Sequence, residues 1–326
     1  MSPVLDVRDV SVRIRVPSGH HVQAVDRVSF SVEPGETLAI VGESGCGKTM
    51  LAMAVLGLLP SGGEITNGEV LLDGEDLRTA TPSRLRDIRG RTIGAVFQEP
   101  MAALDPVLTI GRQIAEVIQR HEGLSKDAAR GLALELMSLV GIPDPASRID
   151  QYPHQFSGGM AQRVVIAMAI ACRPRVLLAD EPTTALDVTI QAAVLRVIDS
   201  LKHQLDMAVV LITHDLGVVA DVADRVMVMY AGRVVEEADV LDTFAAPQHQ
   251  YTRGLMGAIR HPTRTPPRSR LTEIPGMVPT LLAPAQACAF APRCPLADDR
   301  CRAELPLLGP IRDHHAVACF HPGVPA

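Results

Sequence analysis

Gly42-Glu43-Ser44-Gly45-Cys46-Gly47-Lys48-Thr49 is the stretch whose reading decides the fold. It satisfies the G-x-x-x-x-G-K-[ST] pattern in full. Apolar Leu38-Ala39-Ile40-Val41 before it reads as a buried strand, and residues 50–59 after it read as a helix. The chain has only three lysines, Lys48, Lys126 and Lys202, so a lysine in this position is informative. The glycines let backbone N–H groups curl around a polyphosphate, and the helix N-terminus adds its partial positive charge. Lys48 is expected to reach the β- and γ-phosphates, and the Thr49 hydroxyl to bind Mg²⁺. An ordinary Gly-rich strand-to-helix turn would not require Lys and Thr at these two places.

Working outward, 326 residues with 47% hydrophobic content can supply one large core and a smaller one, which excludes global disorder. With 31 basic and 37 acidic residues the net charge is -6, and nothing global favours nucleic acid. The longest apolar runs, such as residues 164–172, fall far short of the roughly 20 residues of a membrane helix. The N-terminus lacks a basic segment followed by an apolar one, so a cytosolic compartment is expected.

Residues 4–16 and 22–32 alternate apolar and polar, the period of half-buried strands, and predict an antiparallel layer ahead of the phosphate-loop strand. Short strands are expected at 68–74 and 92–97, the latter stopped by Gln98-Glu99-Pro100. Helical spacing then takes over at 109–121, 125–140 and 157–171, which predicts a helical subdomain over about 100–171. Strands return at 175–181, 207–213, 225–230 and 233–237, with a helix at 188–204. The fold class that follows is α/β: a P-loop NTPase core with a mainly parallel sheet, whose ligands sit at the carboxyl ends of strands. Lys48, Gln98, Asp180 and His214 all fall at or just after such ends. Residues 260–270, with Arg260, Arg264, Arg268 and Arg270 among Pro and Thr, read as a solvated linker; without interleaved aromatics a nucleic-acid contact is the weaker reading.

Two further motifs carry chemistry. Asp180, at the end of an apolar strand, supplies a carboxylate for Mg²⁺, and the adjacent Glu181 is placed to polarise a water toward the γ-phosphate. Phe156-Ser157-Gly158-Gly159-Met160 opens a helix and makes a second anion-binding helix N-terminus. Two such ends with one phosphate-loop lysine suggest a nucleotide shared between two chains.

Gln98, the Ser-Gly-Gly-Met segment, Asp180-Glu181-Pro182-Thr183-Thr184-Ala185-Leu186-Asp187 and Thr213-His214-Asp215 resemble the Q-loop, signature, Walker B with D-loop, and H-switch of ATP-binding-cassette (ABC) ATPases. The order and spacing agree from residue 4 to about 237. Gly-Glu-Ser-Gly-Cys-Gly-Lys, Tyr152-Pro153-His154, Leu186-Asp187-Val188-Thr189-Ile190-Gln191 and Tyr251-Thr252-Arg253-Gly254-Leu255 narrow the resemblance to the oligopeptide/dipeptide/nickel importer subfamily. Ile274-Pro275-Gly276, Pro292-Arg293-Cys294-Pro295 and Val317-Ala318-Cys319 are similar to its C-terminal extension.

The resemblance implies an ABC cassette over residues 1–240 and a C-terminal extension over 241–326. It implies ATP and Mg²⁺ held by Gly42, Glu43, Ser44, Gly45, Cys46, Gly47, Lys48 and Thr49, with Thr49, Gln98 and Asp180 around the metal and Glu181, His214 and Gln98 as the catalytic set. Ser157, Gly158 and Gly159 would cap the ATP of a partner cassette, and Asp187 would connect the two sites. The implied activity is ATP hydrolysis powering import of peptides or similar small solutes. The implied partners are a second cassette, identical or sister, two integral membrane permeases met by residues after Gln98, and an extracellular solute-binding protein, with the chain at the cytoplasmic face of the membrane. A soluble cassette ATPase acting on ribosomes or DNA is the alternative, disfavoured by the single cassette and the acidic charge. Gln155, Phe156 and Ala161 depart from the subfamily's usual Glu, Leu and Arg. The adenine-stacking aromatic expected near residues 19–22 is absent, leaving His20 or His21 to stand in.

Four of the six cysteines, Cys288, Cys294, Cys301 and Cys319, crowd the tail at spacings x₅, x₆ and x₁₇. A cytosolic chain should not keep disulfides, so clustered thiols suggest a metal. Zinc usually takes Cys pairs at closer spacing, whereas four-Cys ligation suits a [4Fe–4S] cluster, and Pro295 after Cys294 matches the Cys-Pro of ferredoxin runs. The resembled subfamily has members with such a cluster, which makes it the expectation; zinc and plain packed thiols stay open beside it.

Overall fold

The computed structural model describes residues 2–17, 19–184, 187–258 and 274–323. The chain forms two compact units, one built chiefly from residues 71–212 with short pieces at 2–5 and 31–37, the other from 6–30, 38–70 and the described residues after 212. Ala185, Leu186 and the linker arginines Arg260, Arg264, Arg268 and Arg270 lie outside the described residues.

In the first unit, strands Ile93–Val96, Val176–Asp180 and Ala208–Thr213 run parallel, with Ile93 opposite Val176 and Asp180 opposite Ile212. The latter two strands are buried at every position, and for that reason their sequences are continuous apolar runs rather than alternating ones. Between the first two strands the chain is helical: Ile110–Glu122, Lys126–Leu139 and Gly158–Ala169. Ile110, Ile114 and Ile118 stack at helical spacing on one buried face, matched by Ala129, Ala133 and Met137 on the next helix. Ser125 caps the second helix by accepting from Ala128 N. The short helices Pro82–Arg91, Pro100–Ala103 and Pro145–Arg148 each start on proline, whose fixed φ suits a first turn; their few apolar residues give no periodicity to read.

In the second unit, strands His21–Val32, Leu5–Arg15 and Gly63–Leu72 lie side by side in that order. The strand Thr37–Val41 precedes the helix Lys48–Leu56 and runs parallel to Arg225–Tyr230, with Val41 opposite Val228. Arg233–Asp239 then turns back antiparallel. The tail extends this arrangement: His315–Val317 pairs with Arg233–Asp239, and Gly309–Arg312 with His315–Val317. Those two strands are three and four residues long and one carries Pro310, too short and too broken for a period-2 signal. What anchors the tail is Glu236, fully buried, which accepts from Gln248 N, His249 N and the His315 imidazole, each at 2.8 Å. A buried carboxylate is tolerable only when so completely hydrogen-bonded.

Candidate active site

The phosphate loop joins the strand Thr37–Val41 to the helix Lys48–Leu56, and its glycines answer to definite neighbours. A Cβ on Gly42 would lie 2.3 Å from Met229 O, and one on Gly47, at φ 104°, would lie 2.3 Å from Ala24 O. The loop is therefore seated tightly on backbone beneath it. On the other side Gly45, at φ 82°, faces open space. Lys48 is buried and its Nζ donates to Gly42 O at 2.7 Å and Glu43 O at 3.1 Å, so the ammonium lies within the curl of the loop. Cys46 is buried beneath it; burial pushes its thiol up against the opposing pull of Lys48. Ser44 and Thr49 are exposed. An open-sided curl, a buried ammonium and a helix N-terminus fit a nucleotide polyphosphate with its Mg²⁺.

Glu43 is held from three directions. Its N–H donates to the Tyr251 hydroxyl at 2.7 Å, its carbonyl takes Lys48, and its carboxylate takes both Nη atoms of Arg293 at 2.6 and 2.9 Å. Tyr230, Tyr251 and Phe290 pack as an aromatic cluster around this contact. Tyr251 and Arg293 carry no role legible in the sequence, because partners 208 and 250 positions away leave no local pattern.

In the other unit, Asp180 ends its strand buried at 4% exposure. Glu181 follows in the left-handed region at φ 49°, unusual for a residue with a side chain. Its N–H donates to Ile212 O at 2.8 Å, and its Oε2 accepts from Thr184 Oγ1 at 2.8 Å. Strained backbone persists where surrounding bonds enforce it, and such positions cluster at functional sites. Gln98 is exposed just past Ile93–Val96. Ser157 is exposed and caps the helix Gly158–Ala169 by accepting from Met160 N at 3.4 Å. Gly158 is exposed beside it, while Gly159 is buried where a Cβ would lie 2.5 Å from Ile190 Cγ2. Asp187 caps the helix Val188–Leu205 by accepting from Ile190 N at 3.0 Å. The segment Gly158–Gly159 and the helix after Asp187 thus pack directly on each other. His214 is exposed after Ala208–Thr213, in the same unit as the phosphate loop, and Asp215 caps the helix that follows. His20 and His21 are both exposed.

The four tail thiols sit in a small packed region. Cys288 and Cys294 lie against the core of Tyr230, Tyr251 and Phe290. Burial pushes all four thiols up, Cys288 to about 11. Among the described residues, the donor atoms that gather within 4.8 Å of one another belong to Asp298, Cys301 and His321.

Comparisons with known proteins agree with this geometry. Residues 25–184 match the ABC transporter family, and residues 235–301 match the oligopeptide/dipeptide transporter C-terminal region. A probable peptide ABC transporter ATP-binding protein of Sinorhizobium fredii is 50% identical over 97% of this chain and 94% of its own length. The dipeptide transport ATP-binding protein DppD of Bacillus subtilis is 49% identical over 98% of this chain and 95% of its own. Among solved structures, the ATP-binding cassette MJ0796 bound to ADP and Pi superposes with a TM-score of 0.65 at 28% identity, covering 72% of this chain and 98% of that one.

One expectation is corrected by these findings. The [4Fe–4S] cluster on Cys288, Cys294, Cys301 and Cys319 does not accord with relatives that are ATP-binding transport proteins along nearly the whole chain, with no iron–sulfur character in their descriptions. What the structure shows of these thiols is packing: Cys288 and Cys294 lie against the aromatic core, and Cys301 is buried. The gathered trio contributes one cysteine only and is built as a helix cap, with Asp298 accepting from Cys301 N at 2.9 Å and pairing with His321 at 3.0 Å. Zinc at the same thiols finds no support either.

Proposed function

The chain belongs to the ABC transporter ATP-binding proteins that carry an oligopeptide/dipeptide-type C-terminal region, and on that premise we propose that it is the ATPase subunit powering import of di- or oligopeptides through a membrane permease. The observation that carries the ATP half of this reading is the phosphate loop: a buried Lys48 inside an open-sided curl at the start of a helix. The peptide half rests on relatives that are named peptide transport proteins and that align over 97% and 98% of this chain.

In this reading residues 1–240 form the cassette and 241–326 the extension. Gly42 to Thr49 would receive the phosphates, and Thr49, Gln98 and Asp180 would hold Mg²⁺, which would neutralise charge on the phosphates. Glu181 takes a proton from the attacking water, and His214 holds the γ-phosphate. Ser157, Gly158 and Gly159 close over the nucleotide of a second cassette, with Asp187 linking the two sites. Two cassettes, two permeases and an extracellular binding protein make up the assembly, with this chain peripheral at the cytoplasmic face. Among the described residues no helix is long and apolar enough to cross a membrane.

The test is co-expression with candidate permease subunits, reconstitution in liposomes, and measurement of ATPase with and without peptide-loaded binding protein. Peptide-stimulated hydrolysis with peptide accumulation inside is the expected result; hydrolysis that no peptide stimulates would turn the reading toward another solute.

A further inference from the structure

The contact between Glu43 and Arg293 joins the phosphate loop to the C-terminal region across 250 positions. Arg293 comes from the short helical turn Ala291–Arg293, and its side chain is 5% exposed, while that of Glu43 is 31% exposed. The guanidinium uses its whole donor fork. Nη1 and Nη2 go to the two carboxylate oxygens of Glu43, Nε donates to Pro275 O at 2.7 Å, Nη2 also to Ile274 O at 3.2 Å, and Nη1 reaches the Tyr230 hydroxyl at 3.4 Å. Its carbon lies 5.7 Å from the centre of the Tyr230 ring. A buried arginine with bidentate geometry and satisfied donors holds its partner in one position, which a lysine in its place would not do.

What it holds matters. The carbonyl of Glu43 is one of the two backbone acceptors of the Lys48 ammonium, and its N–H is turned away from the curl onto Tyr251, itself fully buried. Fixing the Glu43 side chain therefore fixes the peptide groups that shape the loop next to Lys48. Phosphate binding by backbone N–H groups depends on those groups being aimed in advance.

We infer that Arg293 is a positioning residue for the phosphate loop: by clamping Glu43 it holds the loop in its phosphate-receiving shape, so that the nucleotide affinity of the cassette depends on its C-terminal region. This rests on the reading of residues 42–49 as the ATP site. It assigns the extension a part in ATP binding that is separate from any contact it makes with other subunits.

The experiment compares KM for ATP and kcat in the reconstituted complex carrying wild type, Arg293→Met, Arg293→Lys, Glu43→Gln or the double variant Arg293→Met with Glu43→Gln. Arg293→Met should raise KM by about tenfold, the factor expected for about 1.4 kcal/mol of lost loop order, with kcat at saturating ATP within about threefold of wild type. Arg293→Lys should fall between, and the double variant should be no worse than the weaker single one, since both remove the same contact. A folded Arg293→Met with wild-type KM, a fall in kcat alone, or strictly additive effects overturns the inference. If Arg293→Met does not accumulate as folded protein, unchanged KM in both Arg293→Lys and Glu43→Gln overturns it equally. Wild-type hydrolysis that survives Lys48→Ala would instead remove the underlying ATP-site reading.

Discussion

Thr184 donates its hydroxyl to Glu181 Oε2 at 2.8 Å, across a turn in which Glu181 itself occupies the left-handed region at φ 49°. The chain accepts a conformation that costs on the order of 1 kcal/mol for a residue with a Cβ, and spends a side-chain hydrogen bond on aiming the carboxylate. Glycine would fit this backbone better, as it would at other non-glycine positions of positive φ such as Asp73 and Asp206; what sets Glu181 apart is its place directly after Asp180 at the end of a buried strand.

Replacing that carboxylate tests its role. Glu181→Gln keeps the size and the hydrogen bond from Thr184 but cannot take a proton, so turnover should fall by about 10²-fold or more while ATP binding persists. Glu181→Gly should abolish turnover similarly and yet raise stability by several tenths of a kcal/mol, because the φ becomes permissible. Steady-state ATPase, nucleotide binding and denaturant midpoints on the three proteins check this. Wild-type turnover in a folded Glu181→Gln complex would remove Glu181 from the role.

Sharing of nucleotide between cassettes has its own signature. Ser157 is exposed at the start of a capped helix, where it can serve a second chain. The isolated subunit should then hydrolyse ATP slowly, with activity rising steeply with its concentration or on addition of a partner cassette. In mixed complexes a Ser157→Arg lesion on one chain should disable the site built on the other chain's Lys48. Full-rate hydrolysis by a monomer, independent of concentration, would sink this.

The legibility of the fold follows from how local each signal is. The phosphate loop, the helix opening at Ser157 and the buried strand Val176–Asp180 announce themselves within a few residues, because backbone geometry and periodicity are local demands. Arg293, Tyr251 and Glu236 were opaque for the opposite reason: each matters through a partner far along the chain, and a buried charge looks in sequence like any surface charge. The cysteines misled differently. Their crowding is real, but spacing alone does not separate a ligand set from thiols that pack against Tyr230 and Phe290.

Gly159 illustrates a signature residue whose necessity is steric. Alanine would ordinarily favour a helix over glycine by roughly 0.5–1 kcal/mol. Here its methyl would meet Ile190 Cγ2 at 2.5 Å, on the helix capped by Asp187. Gly159→Ala should therefore destabilise the fold by about 1–3 kcal/mol, the usual range for overpacking. Adding Ile190→Ala should recover most of the loss, whereas the same second change elsewhere on the helix should not. Urea midpoints of the single and double variants decide it, and a stable Gly159→Ala alone would show that the helices can part.

His249 is 2% exposed, and burial pushes its imidazole down to about 4, against about 6.5 in the unfolded chain. Its Nδ1 accepts from Tyr251 N at 3.0 Å, the bond that starts the helix Gln250–Gly257 and places Tyr251 under the phosphate loop. The neutral ring is the one that can accept there. Above about pH 6.5 the ring is neutral folded or unfolded and its contribution is fully present. As pH falls toward 4 the unfolded chain binds a proton that the folded one refuses, so stability drops by up to about 1.4 kcal/mol per pH unit, roughly 3 kcal/mol across the window. His249→Asn keeps a cap acceptor but cannot be protonated, and the remaining titratable groups are common to both proteins. The difference between their urea midpoints, followed by circular dichroism from pH 7.5 to 4.5, should therefore shift in favour of the Asn variant as pH falls. A difference that stays constant over that range would show that His249 does not carry the acid sensitivity of this contact.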